Sequence, residues 1–374
     1  MARISPLRAQ HEQAGAPAIC WGPPEADVQV VEAFGAIESE YGAIRAGCAL
    51  LDCPHRGAIR VTGADRIEFL NRMLTQQVAD VAPGDVRFSF WLNRQGRIEA
   101  DLRIGHYADE TDFDLDVHAA PGVAATLSEY LFTEDVRIED ISEQTHRLAL
   151  LGPGAAETLG RAMDLEDAEI GPGRATIGRC AGAPVRIERE DSAAAGGFVL
   201  LTPVPDAPAV YRTLTEAGAA AIGWHAWNVA RIEAGWPVFN IDFGPKNLPA
   251  ETGLLDQRVS FTKGCYLGQE VVARMHSRGK SRQRLCALAP AQLKGADRLS
   301  IPQPISGAQV FVAGDVGGET VGVVTSSTIS PALGSAPICF AMLRGGSTDP
   351  GTAVDVSAEG GAARMVVRDS LRFV

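Results

Sequence analysis

The stretch FTKGCYLGQE, residues 261–270, sets a lysine, a cysteine, a tyrosine, two glycines and a glutamate within ten positions. Cys265 follows Lys263 by two residues and lies between Gly264 and Tyr266, so its thiol has a cation close by and a neighbour that tolerates unusual backbone angles. A nearby cation favours the thiolate, the nucleophilic form. The same residues also suit a crowded turn in which the thiol is only a small filler. Local chemistry leaves both readings open. A metal site needs further ligands at short spacing, and the seven cysteines (20, 48, 53, 180, 265, 286 and 339) include no CxxC pair, so no metal centre and no disulfide framework are expected.

On the C-terminal side of this stretch the helical signal ends at Gly279. AQVFVA (308–313), TVGVVTSS (320–327), APICFAML (336–343) and ARMVVRD (363–369) are short and β-rich, with Gly, Pro, Ser and Asp between them, the pattern of a small β-barrel or sandwich. On the N-terminal side, helices and strands mix. ADRIEFLNRMLT (64–75) places Ile67, Leu70, Met73 and Leu74 on one helical face, and a second helix is expected over 121–132. RFSFWLN and GRIEADLRIG read as two strands joined by a turn at 93–96. From 145 onward RLALLG, PVRIER and GFVLLTP alternate with helices over 154–163, 207–218 and 224–234, which suggests helices covering one face of an antiparallel sheet. GPGA (152–155) lacks the full glycine fingerprint of a nucleotide loop and reads as a strand-to-helix turn. The expected class is α+β with a C-terminal β-barrel, in three regions: 1–144, 145–278 and 279–374.

A chain of 374 residues exceeds the roughly 250–300 that one core supports. With 46 acidic and 34 basic side chains its net charge is −12, which disfavours broad contact with a phosphate backbone. The local cluster Arg274, Arg278, Lys280, Arg282 and Arg284 reads as a solvated loop. No apolar run approaches the ~20 residues of a membrane span, and the N-terminal residues resemble neither a secretory nor a transit peptide, so a cytoplasmic protein is expected.

Two carboxylates stand out beside Cys265. Glu233, in NVARIEAGWPVFNIDF, lies at a helix end beside aromatics, where a carboxylate suits a flat heterocycle offering adjacent N–H donors; a surface ion pair with Arg231 or another base is the simpler account from these residues alone. Asp101, in NRQGRIEADLRIG, opens a strand after a turn and suits proton handling or stabilisation of a developing cation, or simply a hydrogen bond to its own turn.

KGCYLGQE (263–270) resembles the KGCYxGQE signature of the YgfZ-type folate-binding proteins, a branch of the glycine-cleavage T-protein (aminomethyltransferase) superfamily. The resemblance extends to SEYGAIRAGCALLDCPHRGAIRVTGADRIEFLNRMLTQQV, NRQGRIEADLRI, RIEAGWPVFNID with NLPAETGL, and VGVVTSSTISPALGSAPICFAMLR. It implies a three-domain cloverleaf with a central cavity for tetrahydrofolate or a one-carbon-substituted folate. Glu233 matches the glutamate that reads the pterin edge and Asp101 the aspartate beside the reacting folate nitrogens. Arg231, Lys263, Tyr266 and Gln269 join them as expected cofactor-binding residues, with Cys265 and Asp101 as the reactive pair. The cysteine motif points to support of iron–sulfur enzymes or assembly factors, including the radical enzymes of tRNA thiomethylation. Asp101 points to the alternative, a folate-dependent aminomethyltransferase or methylamine-type demethylase. The superfamily leans towards monomers.

Overall fold

The computed structural model describes residues 4–23, 28–165, 170–190, 192, 196–279, 281–291 and 301–374. The chain divides into two compact units, one built from Met1–Leu92, Glu99–Trp227 and Gln257–Leu267, the other from Asn93–Ile98, Asn228–Asp256 and Gly268–Val374. The class is mixed α+β, and the second unit holds a closed β-barrel, as the strand pattern implies.

Among the described residues the first unit contains two large sheets. In the five-stranded one the order is Val86–Leu92, Ile98–His106, Glu110–Asp116, Arg56–Thr62, Arg137–Asp140. Helices Arg66–Met73 and Ala120–Ser128 bury Phe69, Leu70, Val123 and Leu127 in a cluster with Trp91, Leu102, Ile104 and Phe113. Phe69 is fully buried while Ile67, expected in the core, is half-buried, because Ile67 falls at the edge of the arc centred on Phe69, Leu70 and Met73. The second helix stops at Ser128, four residues short of Phe132, which is exposed.

The seven-stranded sheet runs Asp164–Leu165, Ala175–Cys180, Ala183–Glu190, Gly197–Pro203, Thr145–Leu151, Ala49–Asp52, Ala220–Ile222, antiparallel except for its last pair. Helices Ala155–Ala162 and Ala207–Glu216 pack Leu159, Val210 and Leu214 with Leu148, Leu150, Ile187 and Leu200. GPGA is a strand-to-helix turn: Gly152 has φ +107°, and a Cβ there would sit 2.6 Å from the carbonyl oxygen of Gly47. Strand Ala175–Cys180 has no counterpart in the sequence reading; it is joined to Ala183–Glu190 by Ala181 and Gly182, both at positive φ.

Charged side chains from strands of both sheets meet in the interior of this unit. Arg56 and Arg147 reach Asp114 at 2.7 and 3.2 Å, Arg60 reaches Asp112 at 3.0 Å, and Arg103 pairs with Glu190. Each of these cations stands against an acid, as buried ions require.

In the second unit the barrel order is Gln283–Ala289, Ala336–Arg344, Thr320–Ser330, Gln309–Val312, Ala353–Ala358, Gly361–Val367. Leu288, Val310, Val324, Cys339, Leu343, Val356 and Met365 fill its interior. Ile232 packs with Leu285, Ala287, Ile338 and Phe340 in a separate cluster. The basic stretch expected as a loop is in its first part a helix, Gln269–Arg278, ended by Gly279 at φ +67°. Arg274 pairs there with Glu270 at 2.6 Å; Lys280 and the side chain of Arg278 lie outside the described residues. Among the described residues no helix is long and apolar enough to cross a membrane.

Candidate functional site

Asp101, Lys263, Cys265 and Tyr266 belong to the first unit, and Arg231, Glu233 and Gln269 to the second. Each group has its own frame.

Asp101 stands on strand Ile98–His106 with its side chain 16% exposed. Arg258, only 1% exposed, donates from Nε to Asp101 Oδ1 at 2.9 Å. The guanidinium also donates to Gln257 Oε1 at 3.1 Å and lies over the ring of Phe88, 4.3 Å from its centroid. A planar cation held on three sides fixes the carboxylate it pairs with. The alternative in which Asp101 serves only its own turn is therefore set aside: in that turn it is Asn93 whose Oδ1 accepts from the amides of Gln95 and Arg97.

Lys263 is half-buried and its Nζ donates to the carbonyl oxygens of Asn71, Leu74 and Gln76 at 2.6, 2.8 and 2.8 Å. Burial draws its ammonium down to about 8. Tyr266 is buried, with its ring centroid 5.4 Å from that Nζ, and burial pushes its phenol up to about 12. Cys265, between them, is exposed. All seven cysteines are free thiols; Cys20 is also exposed and the other five are buried.

Helix Trp224–Glu233 ends on Arg231 and Glu233, both of the second unit. Arg231, 1% exposed, donates to Asn228 Oδ1 at 2.9 Å, Asp242 Oδ2 at 2.5 Å, Ser326 Oγ at 2.6 Å and the carbonyl oxygen of Trp236 at 3.2 Å. Asp242 further accepts from Thr325, Ser326 and the amide of Val238. Glu233 is fully buried; its Oε1 accepts from Ser330 Oγ and from the amide of Ala332 at 3.3 Å. The two residues do not pair with each other in the way a surface ion pair requires, since positions i and i+2 diverge on a helix. Gln269 is half-buried at the start of helix Gln269–Arg278, behind Gly268 at φ +80°. A Cβ at Gly268 would lie 2.9 Å from the carbonyl oxygen of Asn93.

Arg258, Asp242, Ser326 and Ser330 were not among the residues singled out from sequence. Asp242 lies within the quoted RIEAGWPVFNID and had a visible signal, an acid in an otherwise apolar run. Arg258 in DQRVS carried none, because its partner is 157 positions away.

A mixed α+β chain ending in a six-stranded barrel, with a buried Arg–Asp pair and a buried glutamate at a helix end, defines a narrow class. The chain matches the GCVT N-terminal domain over residues 8–263 and the glycine cleavage T-protein C-terminal barrel domain over 293–372, and it belongs to the glycine-cleavage T-protein family. It is 30% identical over 340 residues to the aminomethyltransferase of Geobacillus kaustophilus (strain HTA426), covering 89% of this chain and 88% of that protein. It is 30% identical over 370 residues to the aminomethyltransferase of Moorella thermoacetica (strain ATCC 39073 / JCM 9320), covering 97% and 95%. The crystal structure of glycine cleavage system aminomethyltransferase T from Bartonella henselae superposes with a TM-score of 0.86 at 24% identity, over 99% of this chain and 97% of that one, a shared fold.

Proposed function

We propose that this protein is a folate-dependent one-carbon transferase of the aminomethyltransferase type. The observation that carries the reading is similarity at 30% identity, along nearly the whole chain, to proteins named aminomethyltransferase. In the reaction an aminomethyl group on a reduced lipoyl sulfur is taken over by tetrahydrofolate. The C–S and C–N bonds break, two bonds form from the carbon to folate nitrogens, and ammonia and the dithiol leave. Asp101, held by Arg258, would face the cationic iminium-like carbon, where a fixed carboxylate stabilises developing positive charge without reorganising. Glu233 would accept from the pterin edge, with Ser330 and Ala332 keeping its carboxylate in place. Purified protein with tetrahydrofolate and an aminomethylated lipoyl carrier should yield methylenetetrahydrofolate and ammonia. No turnover above that of Asp101→Asn would refute the transferase reading.

This reverses the order in which the sequence ranked two functions. The second reading, a YgfZ-type folate-binding protein supporting iron–sulfur enzymes, keeps one specific observation, the exposed thiol of Cys265 within KGCYLGQE. A strain deleted for the gene and complemented with wild type or Cys265→Ala tests it through thiomethylated tRNA. Equal rescue by both proteins removes the thiol from any such role.

A further inference from the structure

We infer that Lys263 is a positioning residue that sets the conformation around Cys265 by capping a helix, and that it does not bind the ligand. Helix Arg66–Met73 ends at Leu74, and the carbonyls of its last turn lack intrahelical donors and sit at the negative end of the helix dipole. The Lys263 ammonium has three N–H bonds, and all three have carbonyl acceptors, on Asn71, Leu74 and Gln76. No donor is left to meet a folate. Arg72, the basic residue of that last turn, turns instead to Glu134 at 2.6 Å.

The flanking chain is laid along the same support. Ser260 N donates to the carbonyl of Thr75 at 3.0 Å, Thr75 Oγ1 to the carbonyl of Arg258 at 2.6 Å, and Gln76 Nε2 to the carbonyl of Gln257 at 3.2 Å. Residues 257–263 are thus fastened to residues 71–76. Beyond Lys263 the chain is exposed at Gly264 and Cys265, then anchored again by buried Tyr266 and by Leu267, which packs against the Phe69 and Leu70 cluster. Cys265 sits in a two-residue span between two anchors, one of which is Lys263. The same support holds the backbone of Arg258, which orients Asp101. The inference rests on reading Cys265 and Asp101 as working residues, but its first test does not.

Hydrogen exchange of the ligand-free protein provides that test. In Lys263→Met, peptides covering 71–76 and 257–267 should exchange about tenfold faster, the loss of a half-buried charge-assisted cap, while barrel peptides keep wild-type rates. Lys263→Arg, which retains the charge and serves as the second variant should Lys263→Met fail to fold, should fall between Lys263→Met and wild type. Maleimide labelling distinguishes positioning from general loosening: the rate at Cys265 should change several-fold, with Cys20 unchanged in the same sample and the five buried thiols still protected. Wild-type exchange and wild-type Cys265 labelling, combined with weakened folate binding, would overturn the inference and return Lys263 to the ligand. If the wild-type protein neither binds folate nor turns over, the proposed function fails while the exchange result stands by itself.

Discussion

Replacing Asp101 by asparagine should destabilise the first unit by about 2–4 kcal/mol, before any effect on chemistry. The carboxylate is the charged partner of Arg258, whose side chain is 1% exposed. Removing one member of a buried pair and stranding the other costs roughly 3–5 kcal/mol. Part of that is recovered, because Asn can still accept a hydrogen bond, Gln257 Oε1 stays at 3.1 Å, and the Phe88 ring continues to face the guanidinium at 4.3 Å. Those contacts return about 1–2 kcal/mol. A loss near 3 kcal/mol lowers Tm by roughly 6–12 °C in a unit of this size. The assay is urea unfolding followed by tryptophan fluorescence, since Trp21, Trp91, Trp224 and Trp227 all belong to the first unit and the Trp224 ring centroid lies 4.8 Å from those of both Trp21 and Trp227. Arg258→Met removes the stranded charge, so the double variant should be more stable than the sum of the single losses, by about 1–3 kcal/mol. An Asp101→Asn protein within about 0.5 kcal/mol of wild type, the spread of ordinary surface changes, would refute the argument. Any lost turnover would then be purely chemical.

Three further outcomes follow from the same geometry. Burial, with Arg87 adding to it, holds His106 down to about 4, against an ordinary value of 6.5. The unfolded chain therefore takes the proton first as pH falls, so stability is complete above about pH 6.5 and declines by up to about 3 kcal/mol towards pH 4; His106→Phe should flatten that limb in urea titrations. Glu233→Gln should weaken tetrahydrofolate binding by about 1–3 kcal/mol, measured calorimetrically, and an unchanged affinity would remove Glu233 from the pterin. Gly152→Ala should lower the Tm of the first unit through a cost of about 3 kcal/mol, because it combines φ +107° with a Cβ 2.6 Å from the Gly47 carbonyl oxygen; wild-type melting would show that the turn relaxes freely.

Elements with one apolar face were legible. The helix carrying Phe69 and Leu70, the helices over 155–162 and 207–216, and four of the six barrel strands were read from short apolar patterns bounded by Gly, Pro, Ser or Asp; Gln283–Ala289 and Ala353–Ala358 were not singled out. Strand Ala175–Cys180 was not, because its hairpin turn places Ala181 at φ +50°, where the usual signal is Asn, Asp or Gly. The charged layer was hidden for a different reason. Acids that alternate with apolar residues in TDFDLD, and the mixed charges of RIERE, look like a solvent face, and only the fold brings Arg56, Arg103 and Arg147 to neutralise them.

The candidate site shows the same limit in sharper form. Arg231 and Lys263 were expected at the cofactor from the resemblance, and both have donors engaged by this chain's own oxygens: Asp242, Ser326 and Trp236 for one, Asn71, Leu74 and Gln76 for the other. Residue type and spacing report which groups are charged, but not which donors are already engaged, since the partners lie up to 192 positions away. A recurring motif can thus specify architecture as strongly as chemistry. Within the Lys263–Tyr266 part of the motif, lysine and tyrosine face inward and the thiol faces solvent. A substitution at Lys263 and one at Cys265 would then fail in different ways, the first by releasing the segment and the second with its conformation intact, and that difference separates a motif kept for its shape from one kept for its sulfur.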